Sequence, residues 1–268
     1  MHANTTNGAG GFHGMIVGHE DKVRAFQKLA NEKRLSHAYL FFGEAQTGKY
    51  TFARSFAHFL EQGTFAESEA PLIDVQWCAP VEGAIGIDAV RELRTFLSQT
   101  PLRSPRRLAV VNDAHLLTTE AQSAMLKIVE EPPPHSLIVL IAHDPQVLFP
   151  PLLSRLAKVY FPRLSNTELA EALTKSFNVP AARAKTIAAR SFGRLGRAIA
   201  FLDGGGEKGG STLSDELDAH ILSLWGKGAA THSSALAYLL GRVSDVKRYN
   251  VNENLQRKAV RSHLARNS

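Results

Sequence analysis

The chain is short of several things, and each shortage excludes a class of protein. It has one cysteine, Cys78, in 268 residues. An internal disulfide framework is therefore impossible, which fits a reducing cytoplasm. Long apolar runs are missing too. Segments such as LIVLIA at 137–142 fall far short of the ~20 residues a membrane-spanning helix needs. No internal repeat of roughly 20–50 residues is visible, so no repeat array is expected. The opening MHANTTNGAGGFHG lacks the basic-then-apolar order of a secretory signal. Residues 1–14 are expected to form a flexible leader, with Met15 an alternative start.

What is present is the mixture of an ordinary globular protein, with 44% hydrophobic and 21% charged residues, enough to build a sizeable core. The formal net charge is +6 and the pI about 9.5. Such a balance suits contact with polyanions such as nucleic acid, and suits a solvated basic surface equally well.

Residues 15–163 alternate helix-like and strand-like segments, which points to an α/β fold with a parallel sheet and helices on both faces. HEDKVRAFQKLANEK (19–33) places Val23, Phe26, Leu29 and Ala30 on one helical face. AYLFFG (38–43) reads as a buried strand and TFARSFAHFL (51–60) as a helix. GIDAVRELRTFL suggests a helix capped by Asp88. LAVV (108–111) is a strand, and TTEAQSAMLKIVEE a helix with Thr119 and Gln122 at capping-box spacing. The prolines at 132–134 stop that helix. LIVLIA is the next strand and VYF (159–161) the last. From Leu164 the pattern is helical only: a small domain over 164–203 opening on a Ser165–Glu168 capping box, a glycine-rich linker at 204–211, and a basic helical region at 212–268. Within 242–268, seven Lys or Arg face two acids.

Between the first strand and its helix lies GEAQTGKYT, residues 43–51. It fits the phosphate-binding loop G-x-x-x-x-G-K-[ST] at Gly43, Gly48 and Lys49. Such a loop aims backbone N–H groups and a helix N-terminus at phosphates, while the lysine reaches the β- and γ-phosphates. The next residue should offer a short hydroxyl to magnesium. Here it is Tyr50, whose oxygen sits at the far end of a ring, and Thr51 comes one position late. Hydrolysis also needs carboxylates at the end of a neighbouring strand. VVNDAHLL supplies Asn112, which is neutral, and Asp113, which is short for a glutamate's role.

Taken in order, SHAYLFFGEAQTGK, IGIDAVREL, VVNDAHLLTTEAQSAMLKIVEEPP and HDPQVLFPPLLSR resemble the AAA+ clamp-loader subunits of bacterial DNA polymerase III, over about Met15 to Leu202. Within that family the likeness is to the delta-prime type. The P-loop hydroxyl is gone, the Asp-Glu pair is degraded, and Gly196 stands where active relatives place a lid arginine. The resemblance implies that Ser154-Arg155 is the Ser-Arg element whose arginine enters a neighbouring subunit's ATP site. Such fingers accelerate phosphoryl transfer by ~10³–10⁵. It also makes 164–203 a lid, puts His143 at the first sensor position and 212–268 in a reduced collar-like domain.

The resemblance further implies a hetero-oligomer with gamma/tau-like ATPase subunits, a delta subunit, the sliding clamp and, through the assembly, primed DNA. No cofactor is required on this reading, and weak binding of ATP or ADP stays open. The family's four-cysteine zinc module is absent. His115 and His143 raise the question of a metal, but no cysteine or carboxylate cluster completes a site in the sequence, so none is expected. A non-hydrolysing stator is the reading favoured. An active clamp-loader or branch-migration ATPase and a DNA-binding module on an AAA+ scaffold are the alternatives. Arg103, Arg106 and Arg107 fit either a solvated loop or contact with DNA or a partner.

Overall fold

The computed structural model describes residues 16–66, 71–202, 213–226, 232–248, 258–260 and 262. The expected leader at 1–14, the linker at 204–211 and most of the closing stretch 250–264 lie outside the described residues. The chain divides into two compact units, Met1–Gly196 and Arg197–Ser268.

The first unit runs α1 (Glu20–Asn31), β1 (Ala38–Phe42), α2 (Lys49–Gln62), β2 (Val75–Cys78), α3 (Ile87–Leu97), β3 (Arg107–Val111), α4 (Thr119–Glu130), β4 (Ser136–Ala142), α5 (Pro150–Leu153), β5 (Ala157–Tyr160), α6 (Asn166–Phe177), α7 (Ala181–Ser191) and the start of α8 (Leu195–Leu202). All five strands are parallel and lie in the order β2-β3-β4-β1-β5. The three central strands are buried along almost their whole length, which is why they read as unbroken apolar runs. Their period of two sorts them between two cores. Leu40, Ala109, Val111, Ile138 and Leu140 pack with α3 and α4 residues such as Val90, Leu93 and Met125. Phe41, Leu108, Val110, Val139 and Ile141 pack on the other face with Phe26, Phe52, Phe56 and Phe161. Parallel β-α-β connections put the loops after β1, β3 and β4 at one edge of the sheet, the place where open α/β sheets bind ligands.

Several local expectations are corrected. β2 has no counterpart among the expected strands; it is a short edge strand with three half-buried residues. The cap of α4 is Thr118, which accepts from the Ala121 N–H at 3.2 Å, so Thr119 and Gln122 form no capping box. Asp88 is not the cap of α3. Gly86 is, and Asp88 sits in the first turn paired with Arg91 at 2.8 Å. The Ser165–Glu168 capping box is present.

Arg106 is half-buried and Arg107 buried, so neither is a freely solvated loop residue. Arg106 donates to the carbonyls of Leu35 (3.2 Å) and Ser36 (3.4 Å). Arg107 is buried, donates to Thr100 and lies over the Phe96 ring. In the second unit, α9 (Leu213–Gly226) and α10 (Ser233–Arg248) share a small core of Leu213, Leu217 and Leu239 with Val260. Among the described residues, no helix is long and apolar enough to cross a membrane.

Candidate functional site

The loop between β1 and α2 is built around three positive φ angles, Gly43 (137°), Gln46 (63°) and Gly48 (91°). Gly43 is needed on steric grounds as well: a Cβ there would stand 2.4 Å from the Phe161 carbonyl oxygen. Gly48 opens α2, so the N–H groups of its first turn face the loop. Lys49 follows directly and is buried, 5% exposed. Its ammonium donates to the carbonyl of Gly43 at 2.7 Å and to that of Glu44. Burial lowers its pKa to about 8, against the opposing pull of Asp113 and Glu44.

Three elements hold this loop from outside, through contacts that the sequence did not reveal. His19, buried ahead of α1, donates through Nε2 to the Thr47 carbonyl at 2.7 Å. Burial keeps that imidazole below its usual range. Arg163, after β5, bonds the Glu44 carboxylate. Gly196, at the start of α8, donates its N–H to the Gln46 carbonyl at 3.0 Å. A Cβ at 196 would lie 3.0 Å from Gln46 Cβ, so the glycine permits the start of α8 to rest on the loop.

Tyr50 points outward, 44% exposed, with its ring 5.3 Å from that of Trp77. Thr51 is half-buried in the first turn of α2. At the end of β3, Asn112 donates from Nδ2 to Asp113 Oδ2 at 2.9 Å. Asp113 itself adopts a left-handed backbone, φ 53°. Its Oδ1 lies 3.9 Å from His143 Nε2, at the end of β4. Burial first, then Lys49 and His115, hold the His143 imidazole below its usual pKa, although Asp113 and Glu44 pull the other way. The His115 and His143 rings are 4.8 Å apart. The structure therefore gathers the P-loop lysine, Asn112-Asp113 and His143 at one edge of the sheet, and it supplies beside the two histidines a carboxylate, Asp113, that sequence spacing did not place there.

Ser154 and Arg155 make their contacts elsewhere. The four-residue α5 begins on two prolines and ends at Ser154, whose hydroxyl donates to the Pro151 carbonyl at 2.8 Å. Arg155 donates from Nη1 to the same carbonyl at 2.9 Å and from Nη2 to Glu130 Oε1 at 2.8 Å. Its side chain remains 43% exposed. Behind it, buried Gln122 accepts from the Phe149 N–H at 2.8 Å and donates to the Leu117 carbonyl at 3.3 Å. That side chain ties α4 to the segment carrying Arg155.

A family model described as DNA polymerase III, delta subunit, matches residues 18–165. The DNA polymerase III subunit gamma/tau of Mycobacterium tuberculosis is 33% identical over 154 residues, 52% of this chain and 27% of that protein. The DNA polymerase III subunit tau of Bacillus subtilis is 26% identical over 206 residues, 70% of this chain and 36% of that protein. The chain thus spans about a quarter to a third of the length of these curated relatives. Among solved structures, the Holliday junction branch migration motor RuvB of Thermotoga maritima superposes with a TM-score of 0.51 at 18% identity, over 68% of this chain and 60% of that one. That likeness is one of fold, the AAA+ P-loop α/β fold.

Proposed function

The chain belongs to the DNA polymerase III, delta subunit, family, and from that premise we propose that it is a delta-prime-like stator of the sliding-clamp loader. It does not turn over ATP itself. It contributes Arg155 in trans to the ATP site of a neighbouring gamma/tau-type subunit. With that subunit, a delta subunit and the clamp, it helps place the clamp on primed DNA in the cytoplasm.

One observation carries this reading: the pocket keeps what holds phosphate and lacks what holds magnesium. Lys49 and the N-terminus of α2 remain in place. The hydroxyl position is filled by Tyr50, turned onto Trp77, and the Asn112 amide is committed to Asp113. Magnesium beside a nucleotide is held through one or two protein oxygens besides water and phosphate, and here the loop hydroxyl is absent and position 112 carries an amide in place of a carboxylate. Arg155 is exposed, with its guanidinium resting on the Glu130 carboxylate and the Pro151 carbonyl, so on this reading it exchanges the carboxylate for a neighbour's phosphate on assembly. A fixed positive charge of that kind offsets the charge that spreads over the transferring phosphoryl group.

Reconstituting the chain with a gamma/tau-type ATPase, delta subunit and clamp tests the proposal. Arg155→Ala is expected to lower DNA-stimulated ATPase on the order of 10³-fold, whereas Lys49→Ala leaves it within about twofold. Hydrolysis by the isolated chain, abolished by Lys49→Ala, would overturn the stator reading. A fluorescent ATP analogue should bind the isolated chain weakly and without dependence on magnesium, since only the phosphate-holding part of the pocket remains.

A further inference from the structure

Asp113 and His115 follow β3, and His143 follows β4, its neighbour in the sheet. One ligand-type atom from each lies within 4.8 Å of the other two. We propose that Asp113, His115 and His143 form a binding site for a zinc-class divalent transition-metal ion that clips the ends of β3 and β4 together.

The donor set selects the class of ion. Two imidazoles and a carboxylate suit borderline metals such as zinc, and three protein ligands leave a coordination position for water. Magnesium and calcium prefer oxygen shells that this set does not offer. The geometry is close to what zinc needs. Ligands about 2.1 Å from a tetrahedral zinc stand roughly 3.4 Å from one another. Asp113 Oδ1 and His143 Nε2, at 3.9 Å, are already within about half an ångström of that. Asp113 is half-buried and His143 exposed, so modest rotations close the rest.

The surroundings are those of ligands waiting for a partner. Asn112 holds Asp113 by Oδ2, which leaves Oδ1 free to face His143, the outer-shell arrangement that orients metal-binding carboxylates. His115 Nδ1 is buried without a hydrogen-bond partner. The two imidazoles face each other at 4.8 Å and 43°. One feature opposes a cation: the Lys49 ammonium, whose charge is felt at Asp113 and His143. Its removal should strengthen binding.

The site differs in kind from a four-cysteine module and from a magnesium–nucleotide site, and it stands or falls apart from the stator role. The test uses the untagged full-length chain, stripped with a chelator and titrated with zinc chloride against a chromophoric chelator. One equivalent should bind, and cobalt should give visible absorption bands of a four- or five-coordinate site. Affinity should fall at least tenfold in His143→Ala and in Asp113→Asn, and stay unchanged in His135→Ala, an exposed histidine elsewhere. Lys49→Met should bind several-fold more tightly. Circular dichroism confirms that each variant folds. With eleven histidines in the chain, adventitious binding is the competing outcome. Zinc affinity unaltered in both His143→Ala and Asp113→Asn, or no stoichiometric binding at micromolar zinc, overturns the proposal.

Discussion

Glu130, the last residue of α4, holds the Arg155 guanidinium at 2.8 Å. Both side chains are around two-fifths exposed, and an ion pair in such a setting is worth at most about 1 kcal/mol. It orients the arginine without contributing much to stability. Glu130→Gln is therefore expected to shift the unfolding free energy by less than about 1 kcal/mol. In the reconstituted assembly it should raise ATPase at limiting neighbour concentration, because the guanidinium no longer has to leave a carboxylate to reach phosphate. Steady-state ATPase against neighbour concentration, beside a denaturant melt, checks both halves.

Gln122 works behind that arginine. Its side chain satisfies the Phe149 N–H and the Leu117 carbonyl together. Leu at this position keeps the volume and deserts both groups. Gln122→Leu should cost about 1–3 kcal/mol in urea unfolding, the cost of a buried polar group left unmade. It should also reduce stimulation of the neighbour's ATPase while Arg155 is intact, because Phe149 leads directly into α5 and Ser154. An unchanged melt would mean the loop finds other partners.

Lys49 gives a pH signature of definite sign. Its pKa falls from 10.5 to about 8 on folding, chiefly through burial. Below about pH 8 both states carry the charge, and burial imposes its full penalty. Between about 8 and 10.5 the unfolded chain keeps a proton that the folded chain has lost, so this residue's contribution to stability rises with pH. The difference of 2.5 units corresponds to about 3 kcal/mol. Wild type should therefore gain on Lys49→Met by about that amount across the window, a comparison in which the other lysines and tyrosines cancel. Chemical denaturation of both proteins at pH 7, 8, 9 and 10 measures it.

The sequence made the central sheet legible because β1, β3 and β4 are buried on both faces and so are written as runs of apolar residues. Gly43, Gly48 and Lys49 were legible because their spacing is dictated by a local backbone path. β2 was not, since a short edge strand with half-buried residues lacks both run and alternation. The cap of α4 falls on Thr118, one residue before the Thr119 that capping-box spacing marks, because two adjacent threonines carry the same capping chemistry. The clamps on the loop were hidden for a different reason. His19 meets Thr47 across 28 positions and Arg163 meets Glu44 across 119, distances at which periodicity and spacing carry no information. The same holds for Glu130 under Arg155, and for Asp113 beside His143.

Asp74 was missed for that reason too, and it sets the acid limb of stability. The carboxylate is fully buried just ahead of β2. It accepts the N–H groups of Leu102 (2.9 Å), Arg103 (2.6 Å) and Ser104 (2.8 Å), with the Arg107 guanidinium at 3.8 Å. Burial alone would push its pKa up, but those three donors and Arg107 together outweigh it and hold the carboxyl below its usual range. A carboxyl depressed by folding contributes stability that is present above its unfolded pKa and is lost as pH falls through the folded one. Asp74→Asn keeps the shape but loses the charge that gathers these donors and pairs with Arg107. It should be less stable than wild type at pH 7, by about 2–4 kcal/mol for a buried charge-assisted network. The gap should narrow as both proteins are acidified from pH 5 downward, because wild type then surrenders the same interaction by protonation. Melts of the two proteins from pH 7 to pH 3 would show the curves converging; curves that stay parallel would mean Asp74 does not titrate differently in the folded and unfolded chain.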